Sequence, residues 1–239
     1  MTKAQSKIPT SELKLSIIIP AYNEAGTIEL LLEEISRQDF SHPIEVILVD
    51  DGSTDGTRTI LEKYREIYKV VFHKENQGKG AAIRTGIKCV TGSHAVIQDA
   101  DLEYDPKDLV IMWNKMIAED LAVLYGSRSM KRGRNKEAGF TFYWGGQLVT
   151  LVTNVLYNLR LTDEPTCYKM FRSDLLTSLP LVCNRFEFCP EVTALVAKRG
   201  YKIQEVPISY QPRTAAEGKK INWKDGIEAL WVLVKNRIW

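Results

Sequence analysis

The residues best suited to chemistry sit where an apolar run stops. Ala95 to Ile97 lead through Gln98 into Asp99-Ala100-Asp101, with Glu103 two residues on. Two carboxylates this close at a strand end repel each other. At ~4 Å, like charges cost ~1 kcal/mol in water and ~4 kcal/mol near a protein surface. A hard divalent cation held jointly with substrate phosphates offsets that repulsion. The alternative is a polar loop capping a helix after Pro106, and the Asp-x-Asp pair alone does not separate the two.

A second carboxylate, Asp51, follows another apolar run and precedes Gly52-Ser53. It reads either as an acceptor for a base N–H or ribose hydroxyl, or as part of a turn with Ser53, Thr54 or Asp55 as helix cap. Asn76 to Ala81 carries Gly78 and Gly80. Its spacing fits neither a P-loop nor the dinucleotide fingerprint. These glycines let the backbone turn into the next helix. Lys79 and Arg84 there either face an anion or are solvated.

These residues need elements to position them. Apolar, β-rich runs at Leu15–Ile19, Ile44–Val49, Lys69–Phe72, His94–Gln98 and Leu121–Tyr125 alternate with helical spacing over 25–37, 55–67, 78–90 and 106–119. Such alternation predicts an α/β fold with a mainly parallel central sheet flanked by helices. The first four strands read as covered on both faces. Ile60, Leu61, Tyr64 and Ile67 read as the inward face of the second helix. Ligands bind outside the carboxyl ends of such strands. The loops there hold Pro20 to Glu24, Asp50 to Ser53, Glu75 to Gly80, Asp99 to Asp101 and Gly126 to Arg128, all polar, charged or glycine-rich.

Further on, 140–159 reads as one long helix with Leu148, Leu151, Val152, Val155 and Leu159 on a face. Residues 166–172 read as a strand, 190–199 as a helix, Tyr201–Tyr210 as strand-like, and 223–238 as an amphipathic segment. The expected organisation is a flexible tail over 1–14, one domain over 15–222, and a C-terminal amphipathic helix over 223–239.

Composition narrows the function classes. With 239 residues, 44% hydrophobic, the chain can bury a real core. A formal net charge of +2 argues against a general polyanion binder, so no nucleic acid partner is expected. The four cysteines form no C-x-x-C pair and the three histidines are scattered, which suggests reduced thiols, a cytoplasmic location and no zinc site. Residues 1–14 carry no apolar signal region. The longest uncharged run, Ala138 to Leu159, is too polar for a membrane span.

Taken together, SIIIPAYNE (16–24), VDDGSTDGT (49–57), NQGKGAAIRTG (76–86), QDADLEYDP (98–106) and EVPISY (205–210) resemble family 2 glycosyltransferases, and most closely the polyprenyl-phosphate (dolichyl-phosphate) mannose and glucose synthases. The likeness runs from about Leu15 to Lys220. It implies a GT-A fold, a sandwich that binds a GDP- or UDP-hexose, and a need for Mg²⁺ or Mn²⁺. It implies that Pro20, Tyr22, Glu24, Val49 and Asp51 hold base and ribose. Asp99, Ala100 and Asp101 match the diphosphate and metal site, and Glu103 a further metal-ligand position. Arg128 matches a donor-contacting arginine, and Arg213 with Lys219 a basic pair on a flexible loop.

The acceptor is less constrained. Arg128, Lys131, Arg132, Arg134 and Lys136 precede the long uncharged helix. They read as a lipid-phosphate site with Arg132 and Arg134 binding the acceptor, as a membrane attachment, or as a solvated loop before a core helix. A phosphate monoester has a second pKa of ~6 and needs no base, whereas a sugar hydroxyl does. Asp163, in the segment TDEPTCYK (162–169), is the leading base candidate and Glu191 a weaker one. Lys169 of the same segment is a candidate acceptor contact. Trp223, Trp231 and Trp239 read as interfacial anchors or core residues.

The expected activity is metal-dependent, inverting transfer of a hexose to a polyprenyl or dolichyl phosphate, with Asp101, Asp163 and Arg128 as catalytic residues, at the cytosolic face of a membrane. The alternatives are a soluble transferase of the same family acting on a sugar hydroxyl or small phosphorylated acceptor, and a non-catalytic nucleotide-sugar-binding subunit.

Overall fold

The computed structural model describes residues 8–130, 140–213 and 223–238. The strands β1 (Leu15–Ala21), β2 (Ile44–Asp50), β3 (Lys69–Phe72), β4 (His94–Ile97), β5 (Val123–Ser127), β6 (Lys169–Arg172) and β7 (Gln204–Pro207) form one seven-stranded sheet. Their order is β3-β2-β1-β4-β6-β5-β7. β1 pairs in parallel with β2 and β4, β2 with β3, and β5 with β7. Only β6 runs antiparallel to its neighbours. The α/β architecture with a mostly parallel sheet is therefore as the alternating pattern predicts.

Helices α1 (Ile28–Ser36), α2 (Thr57–Glu62), α3 (Lys79–Ile87) and α4 (Lys107–Ala118) connect the first five strands. α1 buries Ile28, Leu31, Leu32 and Ile35, one stripe at helical spacing. α4 buries Leu109, Met112, Trp113 and Met116 in the same way. α3 lies close on β1 because Gly86 faces Ile18, where a Cβ would collide with the isoleucine side chain. Beyond β5 come α5 (Phe140–Tyr157), α6 (Ser173–Ser178), α7 (Phe188–Lys198) and α8 (Trp223–Ile238). Val149, Ala194, Ala229 and Leu233 tie α5, α7 and α8 into a second, small core.

Several expectations are corrected. β3 is an edge strand with Lys69 exposed and the rest half-buried, not covered on both faces. α2 ends at Glu62, and i→i+3 bonds from Lys63, Tyr64 and Ile67 carry the chain on. That tighter winding turns Ile67 outward, 69% exposed. The strand expected over 166–172 starts only at Lys169, and the one over 201–210 shrinks to β7, with Tyr210 making an isolated bridge to Tyr104. α6 has no counterpart in the pattern reading. The end of the expected N-terminal tail is anchored: Thr10–Glu12 form a 3-10 turn, Leu13 is buried, and Lys14 Nζ lies 2.8 Å from Glu45 Oε2.

On α5 the single face expected for five residues divides: Val152 and Leu159 pack against core residues. Leu148, Leu151 and Val155 do not meet the core; they face solvent. The buried residues are Val149, Thr150 and Thr153. Burial of two threonines is tolerable because each hydroxyl donates back along the helix, Thr150 to Gly146 O at 2.9 Å and Thr153 to Val149 O at 2.8 Å.

Candidate active site

The loops at the carboxyl ends of β1, β2 and β4 meet at one cleft. Pro20 pairs with Val49 across the β1–β2 register, and both are buried. Asp51, 2% exposed, is a junction. Its Oδ1 accepts from His73 Nδ1 at 2.7 Å and Gln77 N at 2.9 Å, and its Oδ2 from Gly78 N at 2.8 Å. His73 Nε2 lies 2.9 Å from Thr85 Oγ1, so the imidazole is held at both ends. Gly78 has φ of 98° and sits against the Asn184 carbonyl, two reasons for glycine there.

That turn delivers Lys79, the first residue of α3, into the cleft. Its Nζ lies 2.5 Å from Asp99 Oδ1 and 3.9 Å from Cys167 Sγ. Burial works against the charge on Lys79, and the Asp99 carboxylate more than offsets it, raising the pKa well above the usual lysine range. Among the described residues Asp101 has no such counter-ion. Burial, then Asp99 and Glu103, push its carboxyl up to about 7 against the opposing pull of Lys79. Its Oδ1 accepts from Glu103 N at 3.2 Å, and Leu102 between them holds a φ of 62°.

The other wall is closed by a strap. Arg213 Nη2 lies 3.0 Å from Glu24 Oε2, and Arg213 N donates to Glu103 Oε1 at 2.6 Å. Tyr210 Oη donates to Glu103 Oε2 at 2.7 Å. Both Glu103 oxygens are thus engaged by the 210–213 segment. Tyr22 lies beside Asn23, whose amide donates to Ser53 Oγ at 2.9 Å, joining the β1 and β2 loops. Asp51, Lys79, Asp99, Asp101, Glu103, Arg213 and Glu24 therefore form one continuous network around the cleft.

On the β5 side, Arg128 and Asp163 make a bidentate pair: Nε to Oδ2 and Nη2 to Oδ1, both at 2.7 Å. Arg128 N also donates to Asp163 Oδ2 at 2.8 Å. The guanidinium stacks over Tyr210, 4.9 Å from the ring centroid, which joins this pair to the network. Lys169 is elsewhere. It is fully buried, 3.6 Å from Glu164 Oε1 and 3.8 Å from the Tyr125 ring centroid, so it faces the core and not the cleft. Glu191 caps the backbone of Val182 and Cys183 and is likewise buried away from the cleft. Arg84 pairs with Asn184. Arg132, Arg134 and Lys219 lie outside the described residues.

Do these residues suit a divalent cation? Among the described residues no three His, Cys, Asp or Glu side chains converge as a metal cage. Asp101 and the second oxygen of Asp99 fit a cation that takes its remaining ligands from phosphate and water. The crowded carboxylates around Asp101 are the charge such an ion would offset. Glu103 is less suited, since both its oxygens are in use.

Sequence reading passed over His73 and the Glu164–Lys169 pair. His73 follows β3 at its carboxyl end, a positional signal that was available. The pair had none, because its burial depends on contacts between distant elements.

Comparison with known proteins adds three findings. The model of Glycosyl transferase family 2 matches residues 16–179, more than half the chain. A dodecaprenyl-phosphate galacturonate synthase from Rhizobium johnstonii is 29% identical over 86% of this chain, which spans 61% of that relative. A dolichyl-phosphate beta-glucosyltransferase from Dictyostelium discoideum is 26% identical over 91% of this chain and 72% of its own length. Among solved structures, glucosyl-3-phosphoglycerate synthase from Mycobacterium tuberculosis, in complex with Mn²⁺, UDP and phosphoglyceric acid, superposes with a TM-score of 0.72 at 20% identity, over 95% of this chain and 79% of that one. The same enzyme with Mg²⁺ and UDP gives 0.70. These neighbours share the GT-A fold.

Proposed function

The chain belongs to glycosyl transferase family 2, and on that footing we propose that it moves one hexose or hexuronic acid from a nucleoside-diphosphate sugar to a polyprenyl phosphate, with inversion. The observation that carries the acceptor is the Arg128–Asp163 pair. Both Asp163 oxygens are held by one guanidinium, so the leading base candidate is engaged in positioning Arg128. An acceptor that arrives already ionised needs no base, and a phosphate monoester is one.

In this reading an acceptor phosphate oxygen forms the new bond to the anomeric carbon while the bond to the diphosphate breaks. Negative charge grows on the leaving oxygens. Lys79, Arg128 and Arg213 border the cleft where it would grow, and fixed cations there stabilise the transition state. Asp99 and Asp101 would hold Mg²⁺ or Mn²⁺, which when bound supplies further charge stabilisation to the diphosphate. Asp51 orders the 77–78 turn and, with Tyr22 and Glu24, lines the end of the cleft we assign to base and ribose. Asp163 serves as a positioning residue for Arg128. We put a UDP-sugar before a GDP-sugar because the solved neighbour binds UDP. No helix of the described residues is long and apolar enough to cross a membrane, and we place the reaction at the cytosolic face of one.

The test is direct. The chain is given labelled UDP- and GDP-hexoses, Mn²⁺ or Mg²⁺, and undecaprenyl phosphate in detergent micelles. Label passing into the organic phase supports the proposal. A second reading, a small phosphorylated acceptor, is favoured by the solved neighbour bound to phosphoglyceric acid. Label retained in the aqueous phase, and transferred to a phosphorylated small molecule, would replace the first reading with the second.

A further inference from the structure

α5 and α8 each show apolar residues on two opposite sides. The inner sides meet over α7, through Val149, Ala229 and Leu233, and Tyr157 Oη donates to Leu233 O at 2.8 Å. On α5 the outer side carries Trp144, Leu148, Leu151 and Val155, spaced four, three and four apart, with Val155 73% exposed. On α8 it carries Ile227, Trp231, Val234 and Ile238 at the same spacing, with Trp231 65% exposed. That spacing puts each set on one stripe. Because both inner sides pack into the core shared with α7, both stripes face away from that core. Scattered apolar residues on a surface are ordinary, but paired stripes on adjacent helices are not.

Charge decides what covers them. Phe140–Tyr157 contains no charged residue. The α8 stripe is bordered by exposed Lys224, Lys235 and Arg237, against the single exposed acid Glu228. A two-fold contact with a second copy would bring two such net-positive borders together. An anionic lipid surface complements them, and tryptophan is the aromatic residue suited to that interface. We propose that the outer face of the α5–α8 pair docks on an anionic bilayer surface. α5 is then the wall between membrane and cleft. Its inner side touches the acceptor-side loops, with Thr150 Oγ1 accepting from Glu164 N at 3.0 Å and Gln147 Nε2 3.4 Å from Ser129 Oγ. The surface deepens the lipid-acceptor reading and would bring the Arg128–Asp163 side of the cleft to the headgroup level.

The test uses the full chain and vesicles free of polyprenyl phosphate, so it fails or succeeds independently of the acceptor. Vesicles of phosphatidylcholine with phosphatidylglycerol should sediment the protein. Vesicles of phosphatidylcholine alone should do so several-fold less well. The variant Leu148→Ser/Leu151→Ser/Ile227→Ser/Trp231→Ser should lose about tenfold or more in partitioning while still binding UDP. The separate variant Lys235→Glu/Arg237→Glu, changed only at exposed side chains, should lose the preference for anionic vesicles. The proposal is overturned if the wild type stays in the supernatant, if either variant partitions as the wild type does, or if the protein is a dimer that the fourfold variant converts to monomer.

Discussion

Lys79 Nζ and Asp99 Oδ1 lie 2.5 Å apart at the mouth of β4, so half of the Asp-x-Asp pair already has a cation of its own. The two carboxylates are therefore unequal: among the described residues Asp99 has a cation against it and Asp101 has none. Replacing Lys79 by Met should leave Asp99 and Asp101 facing each other uncompensated. Turnover should fall on the order of 10²-fold, the typical effect of removing one charge-stabilising group. Thermal melts should show a larger stabilisation by Mn²⁺ in this variant than in the wild type, because the added ion replaces the missing ammonium. Equal Mn²⁺ shifts in the two proteins would count against the pairing having that role.

Asp101→Ala tests the other half. Steady-state assays should show a rate loss on the order of 10²-fold or more. The melting temperature without metal should not fall, since the variant removes a half-buried carboxylate that Asp99 and Glu103 repel. Loss of activity together with unfolding would mean that Asp101 is structural.

Asp163 separates positioning from base catalysis. Asp163→Asn keeps the shape but leaves one oxygen where Arg128 now meets two. We expect kcat to fall about 10- to 100-fold with the shape of the pH–rate profile unchanged. If Asp163 were a base, the acidic limb of the profile would vanish in the variant.

Two groups at the far end of the sheet predict how stability depends on pH. Glu45 accepts from Lys14, Ser16, Thr91 and Gly92. Burial opposes its charge, but these donors lower its pKa from 4.5 to about 2. Its contribution is present above pH 4.5 and lost as pH falls toward 2. His94 is buried against Trp113, with ring centroids 5.2 Å apart. Burial, then Arg172, lower its pKa from 6.5 to about 4. A histidine kept neutral in the fold also stabilises at high pH, and that contribution is lost as pH falls from 6.5 toward 4. Asp101, raised to about 7, works the other way over the upper window, so these two losses are read in successive stages on acidification as differences in melting temperature between wild type and variant. His94→Gln should flatten the first stage and Glu45→Gln the second.

Much of this was legible because α/β sheets put function at strand ends. Finding where the apolar runs of β1, β2 and β4 stop was enough to name Asp51, Asp99 and Asp101. Apolar periodicity was less informative where it cannot say what lies opposite. The stripe of Leu148, Leu151 and Val155 reads the same whether protein or lipid covers it. β3 reads as buried because Val70, Val71 and Phe72 are apolar, yet among the described residues no strand pairs beyond it. Partnerships over long separations, such as His73 with Asp51 or Arg213 with Glu24, leave no local trace.

Lys169 carries the last prediction, because its charge suggested acceptor binding and its surroundings do not. It is sealed in the core with Glu164, whose Oε2 has no hydrogen-bond partner among the described residues. Burying that pair is costly, and breaking it from one side is costlier still. Lys169→Met should destabilise the fold by about 3–5 kcal/mol by stranding a buried carboxylate. The double change Glu164→Gln/Lys169→Met should recover most of that, since it removes both charges at once. Denaturant unfolding of the three proteins measures the difference. In the double variant the acceptor KM should stay within about twofold of wild type, a margin of roughly 0.4 kcal/mol. A several-fold rise in that KM, in a protein of wild-type stability, would return Lys169 to the acceptor site.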